Sequence, residues 1–326
     1  MPQMPPIRFY LPDPIPPDMP SSPDVYWLGF RGKMRSGVYA WIVQTFQWLQ
    51  RAGFPCELTS EIPTDGIFVA HRKSVPRGFI APPGVLFVCL RADATFHPYA
   101  HLHVVLNRRT LGRWYPSFYM PHWPQPGLLP RDPARGDRWE NAAFFGDPAS
   151  FTSEMTGAAW EETLRELELR WHFVPPEKWH DFREVDVIVA ARSFDNHRHE
   201  NKPPTKLFNA WRAGVPAVLG RESAFQQERR SDLDYLEVHS FGEVIEALRR
   251  LKNDPELRRA MAANGLERGK ESDPERTTKR WQEFFDQIAI PAYEKVRTEN
   301  PWQRTLHRWN GVLKTKAHDW RERFWH

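Results

Sequence analysis

The sequence has few cysteines and no long apolar run. Cys56 and Cys89 are its only cysteines, which argues against a disulfide framework and indicates a reduced compartment. No uninterrupted apolar run exceeds six residues, the length of Val85–Leu90, which is far too short to span a bilayer. The N-terminus shows no basic segment followed by an apolar one, the pattern of a secretory signal. These absences predict a cytoplasmic protein.

The chain also lacks a strong charge of either sign. Its formal net charge is +4, which is too small to indicate a nucleic-acid partner. Residues 301–326 carry six basic and two acidic side chains. The whole positive excess therefore lies in the C-terminal tail, and we expect no nucleic acid to bind. The rival interpretation, stacking and phosphate contacts made by this tail, leaves the rest of the chain unexplained.

The N-terminal part shows the pattern of a parallel α/β sheet. Residues 1–23, with repeated prolines, are interpreted as an extended lead-in, and residues 24–125 as the first domain. Within it, helical spacing predicts a helix over Val38–Ala52 that stops at Gly53. The predicted strands are Val25–Phe30, Cys56–Thr59, Gly66–Ala70, Val85–Leu90 and Leu102–Leu106.

A second α/β pattern follows a stretch rich in proline and aromatic residues. We interpret residues 126–139 as a linker, 140–290 as the second domain, and 291–326 as a crossover helix with a basic tail. The predicted strands are Ala142–Gly146, Val185–Ala191 and Val215–Gly220. The predicted helices are Phe151–Glu168, with Thr152 and Ser153 as candidate caps, and Thr205–Ala213, which ends at Gly214.

The block from Asp186 to Glu222 is the most informative part of the sequence. A strand, the polar loop Arg192–Asn201 and a helix around Lys206–Ala213 precede the phrase Ala-Gly-Val-Pro. This ordered set resembles the donor-binding half of GT-B glycosyltransferases. The resemblance covers roughly residues 140–283. It implies two Rossmann-like domains facing each other across a cleft.

The resemblance also implies an activity. The chain would transfer a sugar from a nucleotide-sugar to an unknown glycan, lipid-linked or small-molecule acceptor, with no metal and no other cofactor. A helix N-terminus attracts a diphosphate, so Lys202, Thr205 and Lys206 are its expected ligands. The alternative is that both lysines are solvated surface charges. The further donor-side residues implied are Gly146, Arg192, Ser193 and Asp195.

The sequence departs from the retaining members of the group, which carry two glutamates with seven residues between them across this helix. Asn201 and Asn209 occupy those positions here. Asn209 remains a candidate for the ribose, and Glu200 or Glu222 could replace a missing carboxylate. For Glu222 the alternative is a cap on the following helix. The stereochemistry stays open, as does a non-catalytic protein that binds nucleotide or glycan.

The first domain is expected to hold the acceptor and part of the sugar site. His71 and Asp93 follow strands, at the edge where α/β crevices form. The resemblance implies His71 beside the transferred sugar, and Asp93 could act as general base if the reaction inverts. The alternative for both is a loop residue bonded to local backbone. Lys33, Arg35 and Arg72 are candidates for an acceptor or a phosphate, with a plain strand–helix turn as the alternative around the first two.

Two signals for a metal are weak. His97, His101 and His103 lie close in sequence, but no further ligand at suitable spacing completes a zinc site. The short match Asp232–Asp234 resembles a carboxylate pair used by other glycosyltransferases and is better explained by chance.

The tail has an apolar stripe at helical spacing, formed by Trp302, Leu306, Trp309, Leu313, Ala317, Trp320 and Phe324. One interpretation is an interfacial helix on the inner face of an anionic membrane. The other, which we favour, is packing of a last helix on the first domain, with Pro291 allowing a kink.

Overall fold

The computed structural model of the protein describes residues 4–15, 19–30, 37–112, 115–195 and 197–324. In these ranges the strands are β1 Ile7–Tyr10, β2 Glu57–Thr59, β3 Gly66–His71, β4 Val85–Leu90, β5 Leu102–Val105, β6 Ser117–Tyr119, β7 Asn141–Phe145, β8 Arg170–Val174, β9 Val187–Ala190, β10 Ala217–Gly220 and β11 Leu236–Val238. The α-helices are α1 Pro23–Phe30, α2 Gln44–Arg51, α3 Ala158–Glu166, α4 Thr205–Ala213, α5 Ser223–Gln226, α6 Phe241–Asn253, α7 Pro255–Gly269, α8 Pro274–Phe284, α9 Ile290–Arg297 and α10 Pro301–Phe324.

The chain divides into two compact units. Unit 1 comprises Met1–Pro121 and Glu275–His326, and unit 2 comprises His122–Pro274. The sequence places the second boundary after residue 290, whereas the chain already rejoins unit 1 at Glu275. Phe285 explains this position, because its buried ring packs against Phe9 of β1, with ring centroids 6.1 Å apart.

Unit 1 contains a parallel sheet with the strand order β2-β1-β3-β4-β5-β6. Every residue of β3, β4 and β5 is buried, as expected for a sheet covered on both faces. Unit 2 contains a second parallel sheet with the order β11-β10-β9-β7-β8. The predicted fold class, two parallel α/β domains followed by a helical tail, is confirmed.

The structure corrects the prediction for the first 30 residues. Residues 7–10, interpreted as part of a lead-in, form β1 inside the sheet, because Ile7 and Phe9 are buried and β1 pairs with both β2 and β3. The predicted strand Val25–Phe30 is wrong and belongs to α1. The consecutive residues Tyr26 and Trp27 are both buried, which fits a helix rather than the alternation of a strand.

Unit 2 differs from prediction at three places. The helix predicted over Phe151–Glu168 begins only at Ala158, after a 3-10 turn and Gly157, and neither Thr152 nor Ser153 caps it. The segment interpreted as a linker belongs to unit 2, where Arg131 and Arg135 both bind the buried carboxylate of Asp186. The edge strands β8 and β11 were not predicted, and neither was β6 in unit 1.

Candidate functional site

The donor-side residues lie at one edge of the unit 2 sheet. The strand β7 is flanked by β8 and β9, so the chain reverses direction across the sheet between β7 and β9. Ligands of open α/β sheets bind outside the carboxyl ends of the strands at such a switch point. Gly146 follows β7 and Arg192 comes shortly after β9, while Glu222 follows β10. The structure therefore brings these three predicted residues to the expected edge.

The helix α4 begins next to this edge. It starts at Thr205 after Pro204, whose side chain cannot cap it, and it ends at Gly214 with φ +65°. The N–H groups of its first turn have no acceptor within the helix. Leu207 and Phe208 are buried, which anchors α4 to the sheet. The result is an uncapped helix N-terminus that carries Lys206, with Lys202 just before it.

Lys206 lies in a partly buried setting beside Gly146. Its ammonium is 5.1 Å from the ring centroid of Phe144. A Cβ on Gly146 would lie 2.8 Å from that ring and 3.4 Å from Lys206 Cε, so only glycine fits here without displacing its neighbours. Burial, together with the charge of Arg192, lowers the pKa of Lys206 to about 8. An anion placed next to this ammonium would raise its pKa again by stabilising the charged form.

Arg192 and Glu222 form a buried ion pair. The Nε of Arg192 lies 3.2 Å from Oε1 of Glu222, whose side chain is only 4% exposed. Within the described ranges, no group donates a hydrogen bond to the buried Oε2 of Glu222. The side chain of Glu222 also makes no cap on α5, so the capping alternative is wrong. A buried carboxylate oxygen without a donor is costly unless something else supplies one.

A polar loop after β9 folds against this ion pair. Asp195 Oδ1 accepts hydrogen bonds from Ser193 Oγ and from the His197 N–H, both at 2.8 Å. The His199 ring nitrogen Nε2 lies 3.3 Å from Ser193 Oγ. Burial lowers the pKa of His199, while the carboxylate of Glu222 opposes this shift. His199 was not predicted from the sequence, although its place in the loop before α4 was a usable signal.

Asn209 has a structural role in α4. Its buried Oδ1 accepts a hydrogen bond of 3.1 Å from the N–H of Gln125. This bond ties the first residues of unit 2 to the helix. A role of Asn209 toward a ribose stays a prediction. Glu200, the other candidate for a missing carboxylate, is exposed, whereas Glu222 is buried, so the geometry favours Glu222.

His71 ends β3 at the switch point of the unit 1 sheet, where β1 lies between β2 and β3. Its Nδ1 accepts a hydrogen bond from the Lys73 N–H at 3.1 Å. In the described part of the chain no group bonds to its buried Nε2, which would lie 3.2 Å from a Cβ on Gly37. Burial and the nearby Lys73 lower the pKa of His71 to about 4, so the imidazole is neutral at pH 7.

Charged residues surround His71. The Lys73 ammonium lies 3.2 Å from Asp93 Oδ1, and Arg72 donates from Nη1 to the Val75 carbonyl at 3.3 Å. The structure thus brings His71, Arg72 and Asp93 together, as the sequence predicts. Their catalytic and acceptor roles stay predictions. The candidates Lys33 and Arg35 lie outside the described residues.

The residues considered for a metal have other partners. The N–H of Phe87 donates to His101 Nδ1 at 2.9 Å, and the N–H of His97 donates to His103 Nε2 at 3.1 Å. Asp234 is buried against the guanidinium of Arg268. Among the residues that the structure describes, no group of three or more His, Cys, Asp or Glu side chains is placed to hold a metal ion. In those same residues no helix is both long and apolar enough to cross a membrane.

Unit 2 also contains an open cavity of about 670 Å³ on the β7–β8 side of its sheet. Arg138, Asn141, His172 and Lys178 contribute to its lining. None of the predicted donor residues lines it. The residues described above therefore lie at the strand ends and not in this cavity.

Comparison with known proteins identifies the family. A family model described as glycosyl transferase-like matches residues 143–309, just over half of the chain. The chain belongs to this family. No curated protein matches the sequence of this glycosyltransferase-family chain. Its structure is similar to that of Anabaena HepE in complex with UDP and glucose, with 10% identity, a TM-score of 0.52, and coverage of 88% of this chain and 100% of that chain.

A second solved structure that it matches is sucrose-phosphate synthase from Thermosynechococcus elongatus, with 11% identity, a TM-score of 0.48, and coverage of 88% of this chain and 89% of that chain. The likeness to HepE shows the fold. The GT-B fold and the membership of a glycosyltransferase family, both predicted from the block around α4, are confirmed.

Proposed function

We propose that this glycosyl transferase-like protein transfers a sugar from a nucleotide-sugar to a hydroxyl-bearing acceptor, and that unit 2 binds the nucleotide. The observation that carries the proposal is the grouping of Lys206, the uncapped N-terminus of α4 and the Glu222–Arg192 ion pair at one edge of the unit 2 sheet. Each part matches a different portion of a nucleoside diphosphate sugar.

The diphosphate belongs at the N-terminus of α4. Unpaired N–H groups and the positive end of the helix dipole favour anions there. The Lys206 ammonium, already partly desolvated, adds a charge whose interaction with phosphate oxygens is little screened by water. Lys202 precedes it and, after burial and Arg192, also lowers its pKa, as expected for two cations that share one anion.

The ribose belongs at Glu222. A carboxylate oxygen that is buried and without a donor among the described residues can accept hydrogen bonds from two vicinal hydroxyls. The Arg192 guanidinium, whose Nε lies 3.2 Å from Oε1, holds this carboxylate in place with Oε2 left for a ligand. HepE, the structurally similar protein, was solved in complex with UDP, which makes UDP the first nucleotide to test.

The transfer is proposed to need no metal. Negative charge develops on the departing diphosphate in the transition state, and fixed positive groups aimed at that charge are the main source of rate. Lys202, Lys206 and the α4 N–H groups would supply them. The rate should then be unchanged by EDTA.

In unit 1 we assign His71 to the transferred sugar and Asp93 to the acceptor hydroxyl. The neutral imidazole of His71, with Nε2 unbonded within the described ranges, can exchange a hydrogen bond with a sugar hydroxyl without placing a charge beside it. His71→Ala should lower the transfer rate and leave the dissociation constant of UDP unchanged, because unit 2 carries the nucleotide.

The deciding experiment is a thermal-shift panel with UDP, GDP, dTDP, ADP and CMP. A nucleotide at about a hundred times its dissociation constant stabilises the folded protein by roughly 2.7 kcal/mol. Lys206→Ala should abolish the shift. Lys178→Ala, which removes an exposed lysine of unit 2 that lines the other cavity, should preserve it. Absence of a shift with every nucleotide on the wild type would sink the proposal.

A second candidate is a non-catalytic protein that binds nucleotide or glycan. Asn201 and Asn209 stand where retaining relatives carry glutamates, and the Oδ1 of Asn209 is already occupied by the Gln125 N–H. Slow hydrolysis of the bound nucleotide-sugar in the absence of acceptor would identify an enzyme rather than a binding protein. Nucleotide binding with no hydrolysis and no transfer to any acceptor would favour the non-catalytic protein.

A further inference from the structure

The helix α10 contacts unit 1 through a polar face with a glycine at its centre. His307 Nε2 lies 3.1 Å from the Tyr99 carbonyl oxygen, and its ring stacks on His101 at 4.4 Å between centroids. A Cβ on Gly311 would lie 2.3 Å from the Tyr99 ring. Glycine therefore permits the close approach of α10 to this part of unit 1.

The same face continues toward the C-terminus. The Lys314 ammonium lies 4.7 Å from the ring centroid of Tyr115, and the Thr315 carbonyl accepts a hydrogen bond of 3.5 Å from Arg77. At its other end α10 is capped by Asn300, whose Oδ1 accepts a hydrogen bond from the Gln303 N–H while its own N–H donates to Gln303 Oε1. The helix is thus fastened to unit 1 by the face that carries positions 307, 311 and 315.

The apolar stripe points the other way. At about 100° per residue, positions 302, 306, 309 and 313 fall within roughly 60° of one another and roughly opposite the fastened face. Trp302 is 84% exposed, and Leu306, Trp309 and Leu313 are 62%, 61% and 61% exposed. The usual arrangement of a surface helix, with its apolar face toward the core, is reversed here.

Four large apolar side chains in one exposed row mark an interaction surface. The charge of the segment indicates what covers it. Residues 301–326 carry a net charge of +4, and the basic side chains of Arg308 and Lys316 are exposed on α10. Two copies of this segment would repel each other, whereas an anionic surface would attract it.

Tryptophan adds a second argument. Its ring is apolar with one polar N–H, and it concentrates at the boundary between lipid headgroups and acyl chains. A helix with an apolar row and basic residues on its other faces lies in the plane of such a boundary. We propose that α10 holds unit 1 on a membrane that contains anionic lipids, with Trp302, Leu306, Trp309 and Leu313 inserted.

This attachment needs no rearrangement of α10, because the stripe is exposed while the opposite face stays fastened to unit 1. It also does not depend on nucleotide binding, so it can be tested separately from the proposed activity. The energy would come from apolar burial and from attraction of the basic residues to anionic headgroups.

The test is flotation of the full-length protein with phosphatidylcholine vesicles, with and without phosphatidylglycerol. The wild type should float with the anionic vesicles, and much less at high salt because attraction between exposed charges is screened. The double variant Trp302→Ser/Trp309→Ser should partition at least about tenfold less. The double variant Arg308→Gln/Lys316→Gln should lose part of the preference for phosphatidylglycerol.

The matched control is Val25→Ser/Leu28→Ser. These residues of α1 are 55% and 49% exposed and belong to the same unit, so this variant should float like the wild type. All variants should melt at the wild-type temperature, since the replaced side chains are exposed. Equal flotation of the stripe variant, or no flotation of the wild type, would overturn the proposal. A wild-type dimer in solution that the stripe variant abolishes would also overturn it, in favour of a second copy on α10.

Discussion

At the carboxyl edge of each of the two sheets lies a buried side chain with one atom that has no partner among the described residues. In unit 1 this atom is Nε2 of His71, and in unit 2 it is Oε2 of Glu222. Both have basic neighbours, Arg72 and Lys73 in one case and Arg192 and Lys206 in the other. The two groups differ, however, in charge.

Burial makes the unit 1 group neutral, because it lowers the pKa of His71 to about 4. In unit 2 the buried carboxylate of Glu222 stays beside Arg192, and Lys206 lies at a helix N-terminus. The carboxyl edge of the sheet therefore carries a neutral hydrogen-bonding group in unit 1 and a carboxylate–guanidinium pair in unit 2. The difference supports the proposal that unit 2 binds the charged half of a nucleotide-sugar.

The largest difference between the two units is expected at low pH, where unit 1 should lose more stability than unit 2. Burial lowers the pKa of four histidines of unit 1 to about 3–4, below the unfolded value near 6.5. They are His71, His97, His101 and His103. Because the unfolded chain binds more protons, their stabilisation is fully present above about pH 6.5 and is lost as the pH falls toward 4. Each of these histidines lowers the free energy of unfolding by up to about 1.4 kcal/mol per pH unit in this range.

Hydrogen exchange at pH 7 and pH 5 locates this loss, after correction for the intrinsic exchange rate. The protection of β4 in unit 1 should fall by several kcal/mol between pH 7 and pH 5. The protection of β10 in unit 2 should fall by less, because there the pKa is lowered for His122 and His199, against the four histidines of unit 1. His101→Gln should flatten the pH dependence of unit 1. Replacement of the exposed His239 by Gln should leave this pH dependence unchanged. Equal loss in both units would contradict the comparison.

A substitution at Glu222 tests the charged switch point directly. Glu222→Gln removes the charge but keeps the shape, so the binding free energy of UDP should weaken by about 2 kcal/mol, as for other hydrogen bonds to charged groups. This corresponds to a roughly thirtyfold higher dissociation constant. Calorimetric titration measures this change. For 2′,3′-dideoxy-UDP the same substitution should have almost no effect. If both nucleotides weaken alike, Glu222 does not bind the ribose.

The smallest effect on binding is expected at Asn209. Asn209→Ala leaves the partly buried N–H of Gln125 without its acceptor, which should lower the free energy of unfolding by about 1–2 kcal/mol. The dissociation constant for UDP should change less than for Glu222→Gln. Urea unfolding and titration of the same variant check both statements. A large loss of UDP affinity with unchanged stability would instead indicate that Asn209 binds the ribose.

Where a local signal decides the structure, the sequence predicts it well. The helix α4 has its predicted bounds because helical spacing and the left-handed Gly214 define both its face and its end. The strand β4 also has its predicted bounds, as a short apolar run buried on both sides. Five short apolar or mixed segments fail, since their state depends on partners distant in the chain. They are β1, α1, β6, β8 and β11.

β1 shows why such segments fail. Its register joins Phe9 to Leu58 and to Val69, and no feature within residues 7–10 announces either partner. Its flanking prolines resemble a lead-in, although they only bound the strand. In the site, the same limit hides His199, which joins Glu222 and Arg192 only because the loop after β9 folds back on them.

The fold class, the family and the residues at the ends of β9 and α4 follow from the sequence alone, because periodicity, glycine and strand–helix order are local properties of a chain. Tertiary packing determines which of those residues share a site and in what charge state. Burial of Glu222, the lowered pKa of Lys206 and the outward stripe of α10 each depend on packing between segments far apart in sequence. Desolvation, the physical cause of the first two features, exists only once the chain is folded.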